Sequence, residues 1–229
     1  MTLMQPRQML ADTVYGAIEQ RLVNHDIEPG AKLNITTLAQ ELDVSPTPVR
    51  EALARLEADG LVVKRPLAGY AAAPLMAGKD FDELFEMRML LEPAAAGRAA
   101  ARIGEDGLLA LAGSLTEMRK VQGGADRETL RLFVHHDALF HDIIAGSGGN
   151  TLMADTLRRF HAHTHLYRLY FRDGITDATC REHERILDAL READADAASA
   201  TMRTHLRRAH ERLLPTVIGA GTDGAAGTA

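Results

Sequence analysis

Four side chains of metal-ligating type interrupt otherwise apolar helical seams. Asp137 and His141 are one turn apart, on the face that also carries Phe133, Phe140 and Ile144. His183 lies a turn before Ile186 and Leu187, and His205 lies between Met202 and Ala209. An ionisable group buried in such a seam is costly unless it is hydrogen-bonded, paired or coordinated. Three imidazoles and one carboxylate converging from three helices would satisfy one another around a divalent metal. The alternative is that each histidine is a core residue bonded separately to a carbonyl or a serine. A three-histidine site would also suit a metal-dependent hydrolase or isomerase, but the sequence has no H-E-x-x-H helix and no poised general base. Glu182 and Glu184 flank His183 and are expected to point away from the metal. Among the other histidines, His161 and His165 are one turn apart and are candidates to line a pocket. His163 is expected to point elsewhere, and His135, His136 and His210 to face solvent or a rim.

A second kind of chemistry lies near the start of the chain, in Val44-Ser45-Pro46-Thr47-Pro48-Val49-Arg50-Glu51-Ala52-Leu53. Val49, Leu53 and Leu56 form an apolar stripe, and Thr47, Arg50 and Arg55 lie off it. A DNA-recognition helix presents its N-terminal residues to base edges while its other face packs on the preceding helix. Arg50 would fork onto guanine O6 and N7, and Ser45 with the helix N-terminus would suit a phosphate. Lys64, Arg65 and the loop at Gly69 would reach an adjacent backbone or minor groove. The competing reading is a solvated helix face. Residues 1–78 hold seven Lys/Arg against nine Asp/Glu, and winged helices also serve as protein-binding modules.

The elements that must position these groups follow from periodicity and punctuation. Val14, Ile18 and Leu22 predict a helix from Ala11 to Asn24, closed by the Pro29-Gly30 turn. A short helix is expected from Thr37 to Leu42, with Thr37 and Gln40 forming a capping box. Ser45 is expected to cap a third helix that has Pro46 in its first turn and is stopped by Gly60. Two strands, 61–64 and 70–73, complete a winged helix-turn-helix over residues 1–75. Residues 79–216 read as six helices, near 79–103, 105–121, 126–146, 150–172, 176–193 and 196–214. Residues 217–229 are Gly/Ala/Thr-rich and are expected to be disordered. The fold class is therefore mainly α: a winged helix-turn-helix followed by an all-α six-helix bundle.

Composition bounds the rest. A chain of 229 residues with 46% apolar and 25% charged residues can bury a sizeable core. No apolar run approaches the ~20 residues that span a bilayer, and MTLMQPRQML lacks a signal-peptide core. Cys180 is the single cysteine, which excludes an internal disulfide and points to a cytoplasmic setting. The net charge of −6 means that any DNA contact works through a local patch.

The segment Ser45-Pro46-Thr47-Pro48-Val49-Arg50-Glu51-Ala52-Leu53, followed by Leu56 to Val62, resembles the DNA-binding domain of the GntR family of bacterial regulators. The likeness covers residues 10–75. Pro46 stands where many members carry an arginine, so that arginine's DNA contact does not transfer. Residues 80–214 resemble the FCD effector domain of the FadR subfamily. The pattern D-x-x-F-H with a later S-G-N-like element is met by Asp137, Phe140, His141 and Asn150. The element E-H-x-x-I-x-x-A-L is met from Glu182 to Leu190, and His205 follows His183 by 22 residues. Six bundle helices resemble the VanR-like group.

The resemblance implies a metal at Asp137, His141, His183 and His205, with zinc or nickel favoured by ligand type. Glu86-Met87-Arg88-x-x-x-Glu92 matches the family's E-x-R-x-x-x-E, which implies an effector carboxylate on Arg88, with Asn150, His161 and His165 nearby. Alternatively, Arg88 forms a structural ion pair with Glu92 or Glu86. Arg131 and Tyr167 are further candidates for the pocket. The implied function is a homodimeric, DNA-binding repressor of a catabolic or transport operon, released by a small organic acid such as a sugar, hydroxy or keto acid. A regulator for which the ion itself is the signal is the alternative, and an enzyme is a more distant one.

Overall fold

The computed structural model describes residues 6–76, 78–121, 126–163, 165–166 and 176–225. The chain divides into two compact units, Met1–Leu75 and Met76–Ala229. The first holds α1 (Pro6–Val23), β1 (Lys32–Leu33), α2 (Ile35–Glu41), α3 (Pro46–Ala58), β2 (Val62–Arg65) and β3 (Gly69–Ala72). Its core gathers Ile18 and Leu22 of α1, Leu38 of α2, Val49, Leu53 and Leu56 of α3, and Leu61.

Several local features differ from the sequence reading. α1 begins at Pro6, before the expected Ala11. α2 starts earlier as well, because Asn34 caps it: the Asn34 side chain accepts from the Thr36 and Thr37 backbone N–H groups. Thr37 is therefore inside the first turn and not the cap. Asp43 takes a left-handed conformation (φ 52°), which Asp tolerates, and turns the chain into α3. Ser45 holds the N-cap position with extended backbone but makes no side-chain cap bond; Pro46 and Pro48 occupy the first turn, where an N–H has no helical partner to lose. Gly60 closes α3 at φ 73°, and Leu61 N–H returns to Leu56 O at 2.9 Å, a Schellman-type ending that favours glycine.

The strands are displaced by one residue from expectation, and a third strand joins them. The sheet order is β1-β3-β2, all antiparallel, with Lys64 opposite Tyr70 and Arg65 opposite Gly69. β1 is only two residues long and pairs Leu33 with Tyr70. So short a strand leaves no periodic trace and exists only through its partner.

The second unit holds six helices among the described residues: α4 (Gly78–Ala100), α5 (Glu105–Lys120), α6 (Arg127–Ser147), α7 (Thr151–Arg159), α8 (Thr176–Arg191) and α9 (Ala195–Ala225). α4 packs along α9, α5 lies on α6 and α8, and α8 lies on α9. Gly97 allows the close approach of α4 and α9, since a Cβ there would lie 3.1 Å from the Ala195 carbonyl oxygen. Asp194 caps α9 by accepting from Ala197 N–H. The expected fourth helix, 150–172, ends early: α7 stops at Arg159, and His161 has φ 46°. α9 runs through Ala225, so the disorder expected from 217 is not what the backbone shows there. No helix among the described residues is long and apolar enough to cross a membrane.

The fold of the first unit depends on α3's apolar stripe. Leu53 is fully buried. Leu53→Ala should destabilise this unit by about 2–5 kcal/mol, read as an earlier transition in chemical denaturation of the full chain.

Candidate DNA-reading and ligand-binding sites

On the first unit, Ser45, Thr47 and Arg50 are exposed along the start of α3. Arg55 is exposed too, but it is engaged within the unit: its guanidinium pairs with Asp12 at 2.5 Å and lies 4.4 Å from the Tyr15 ring centroid. Together with Tyr15 Oη donating to Asp59 at 2.7 Å, this contact ties α1 to α3. Lys64 and Arg65 are exposed on β2, with Gly69 (φ 86°) opening β3. Leu67 at the hairpin tip is fully solvent-facing. A helix N-terminus with an exposed arginine and a basic hairpin thus share one small unit.

On the second unit the four seam residues come together. His141, His183 and His205 each offer one nitrogen within 4.8 Å of the others. Asp137 Oδ1 lies 3.4 Å from His183 Nε2. All four are buried, and His183 is 0% exposed, with its ring stacked 4.2 Å from that of Phe140. Among the described residues, Asp137 Oδ1, His141 Nε2 and both nitrogens of His183 lack a hydrogen-bond partner. Buried polar atoms are rarely left so.

Two relays of charge back the imidazoles. His141 Nδ1 is 2.6 Å from Glu92 Oε2, and Glu92 Oε1 accepts from Arg88 Nε at 2.5 Å. His205 Nδ1 is 3.0 Å from Glu182 Oε2, and Arg212 donates to both Glu182 oxygens at 2.8 and 2.9 Å. A carboxylate accepting at Nδ1 fixes the proton there and leaves Nε2 as a lone pair. Burial acts to raise Glu92, but Arg88 and His141 hold it well below the ordinary carboxylate range. Burial likewise opposes the lowering of Glu182, which His205 and Arg212 bring down to about 2.

Two of the imidazoles, His141 and His183, shift in the direction ligation requires. Burial pushes His141 down to about 4, against the nearby Glu92 charge. Burial first, and the adjacent His205 second, hold His183 well below the usual imidazole range. Burial works to raise Asp137, yet the hydrogen bond from His163 and the surrounding imidazoles keep it ionised far below its ordinary value. Three buried histidines and one carboxylate, with unpartnered polar atoms on Asp137, His141 and His183, fit a divalent first-row ion.

Beside this cluster is a cavity of about 320 Å³. Arg88, Glu92, His141, His161 and His163 line its polar side; Ala138, Leu139, Leu157 and Phe160 line the apolar side. Of the residues singled out for an effector, Arg88 and His161 border it. Arg88 is 2% exposed and already ion-paired with Glu92. Asn150 does not border it: its side chain accepts from Met153 N–H and caps α7. His165 is not among the lining residues either. Arg131 pairs with Glu128 on the surface, and Tyr167 lies outside the described residues. His135 is exposed at the edge of the cavity, in keeping with a solvent or rim position, and His210 pairs with Asp82 at the bundle surface.

Sequence reasoning missed three participants. Glu92 and Glu182 back histidines 49 and 23 residues away, which no local spacing encodes. His163, expected to point elsewhere, has Nδ1 2.9 Å from Asp137 Oδ2, because the turn at His161 breaks the assumed helical phase.

The low value of His141 has a consequence for the metal-free protein. Its imidazole binds a proton less readily folded than unfolded, so the unfolded state takes up more protons between about pH 6.5 and 4. Stability should therefore fall as pH drops through that window, by on the order of 3 kcal/mol from this group. Thermal melts of chelator-stripped protein at pH 7, 5.5 and 4.5 check it; a flat profile would contradict the buried neutral imidazole.

Comparison with known proteins agrees with both halves. Residues 10–71 match the family of bacterial regulatory proteins, gntR family, and residues 83–208 match the FCD domain. The HTH-type transcriptional regulator LutR of Bacillus subtilis is 31% identical over 225 residues, covering 83% of this chain and 94% of that protein. The HTH-type transcriptional repressor RspR of Escherichia coli is 28% identical over 212 residues, covering 92% and 91%. Among solved structures, E. coli McbR/YncC shares the fold with a TM-score of 0.71 at 22% identity, over 89% of this chain and 96% of that one. A matched DNA-binding module, a matched effector-domain model and relatives aligned over nearly their whole length lead to one conclusion: the chain belongs to the GntR family, as a DNA-binding transcriptional regulator with an FCD domain.

Proposed function

We propose that this regulator is a repressor of a catabolic or transport operon, released by a small carboxylate held beside a divalent ion. The finer placement, in the VanR-like group of the FadR subfamily, draws on the six bundle helices among the described residues. The observation that carries the reading is that the cavity and the donor cluster share His141. The residues that would hold the ion are Asp137, His141, His183 and His205, and zinc or nickel suits three imidazoles and a carboxylate. Bound there, such an ion would supply positive charge and Lewis acidity beside the cavity. Arg88 and Arg158 are the arginines of the lining, which also carries the hydrocarbon of Leu139, Leu157 and Phe160; Arg88 is the one proposed to meet the acid. The mixed lining suits an acid that carries both an apolar body and polar groups, such as a sugar, hydroxy or keto acid, since buried hydroxyls need partners.

On the DNA side, Arg50 reads a base and Thr47 and Ser45 position the helix on phosphates. Lys64, Arg65 and the Gly69 turn reach the neighbouring backbone or minor groove. A homodimer would set two such modules at half-site spacing, roughly 34 Å apart. The acid acts by favouring an arrangement with another spacing, a population shift.

The experiment starts from DNA selected from a random library by the full chain. Arg50→Ala should weaken binding to that DNA by about 1–3 kcal/mol, read by fluorescence anisotropy; unchanged affinity would remove Arg50 from base recognition. A panel of carboxylates is then screened by thermal shift and for release of the DNA. An effector at about 100 times its dissociation constant should add ~2.7 kcal/mol of stability. Release by zinc or nickel alone, with no acid having any effect, would make the ion the signal.

A further inference from the structure

We propose that His163 is the positioning residue of the Asp137 carboxylate. The inference rests on the metal reading above and adds a residue beyond the four donors. His163 Nδ1 lies 2.9 Å from Asp137 Oδ2. An ionised carboxylate only accepts, so Nδ1 carries the proton and donates it into this bond. The other oxygen, Oδ1, faces His183 Nε2 at 3.4 Å and has no hydrogen-bond partner among the described residues. One oxygen is thus tied down while its twin stays turned toward the imidazoles.

The same division of labour holds at two other donors. Glu92 takes His141 Nδ1, Glu182 takes His205 Nδ1, and each leaves the opposite nitrogen for the cluster. His163 gives Asp137 what the two glutamates give the histidines: an outer partner that fixes which atom points inward. Its reach depends on the chain after α7. The left-handed turn at His161 redirects the backbone, Ala162 is buried, and the His163 ring comes to 4.9 Å from that of His141. His163 also lines the cavity, so the carboxylate is held from the wall that an effector would touch. His163 further lies close enough to Asp137 and His141 to act as a ligand itself, with all three donor atoms within 4.8 Å. Direct ligation is the competing role, and the two roles separate experimentally.

The full chain is stripped with a chelator and reloaded with Co2+, and affinity and visible d–d bands are recorded. His163→Ala should weaken Co2+ binding by about 10–100-fold and shift the bands. His163→Asn places an amide N–H where Nδ1 was, and should recover wild-type bands and most of the affinity. If His163→Ala does not fold, His163→Leu, which fills the space without donating, takes its place. Wild-type affinity and bands in the Ala or Leu variant would overturn the proposal. So would an Asn variant as impaired as Ala whose bands return on adding imidazole, which would make His163 a ligand. A wild-type protein that binds no Co2+ at micromolar concentration would remove the metal reading itself.

Discussion

Lone pairs that face one another inside a helical bundle must be given something to bind, and the second unit is organised around that demand. Asp137, His141, His183 and His205 are buried on three helices, and the first three carry polar atoms without a hydrogen-bond partner among the described residues. Burial keeps His141 and His183 neutral, and the Nδ1 proton of His141 is committed to Glu92, which leaves its Nε2 as a lone pair. The groups behind the cluster sharpen the demand. Arg88 with Glu92, and Arg212 with Glu182, hold the outer nitrogens of two rings and so dictate which nitrogens look inward.

That arrangement also explains why the cavity sits where it does. α4 supplies Arg88 and Glu92, α6 supplies Asp137 and His141, and the turn after α7 supplies His161 and His163. The cavity wall and the backing of the cluster are thus partly the same side chains. His163 is one hydrogen bond from the Asp137 carboxylate, and Arg88 is two from His141, through Glu92.

How much of this was legible in the sequence depends on the range of the interaction. The i, i+4 pair Asp137/His141, the apolar stripe of Val49, Leu53 and Leu56, and the stop at Gly60 are local, and periodicity displays them. Asn34 as a cap was obscured by Thr37-Leu38-Ala39-Gln40, which also has capping chemistry three residues later. β1 was invisible because two residues carry no alternation. His163 was misplaced because no Gly or Pro announces the left-handed turn at His161, so a continuous helix put the ring on the wrong side. Asn150 was placed by likeness to a motif, whereas its side chain is spent on a helix cap. Glu92 and Glu182 meet their histidines only through tertiary packing.

The account turns on a cation gathering the inward-facing atoms. Anomalous diffraction from crystals of the full chain, grown without added metal or chelator and measured across the zinc and nickel edges, addresses that most directly. The predicted result is one strong anomalous peak within about 2.0–2.2 Å of Asp137 Oδ1 and of a nitrogen of each of His141, His183 and His205. A map with no anomalous density there, and water molecules bridging the same four side chains, would contradict it.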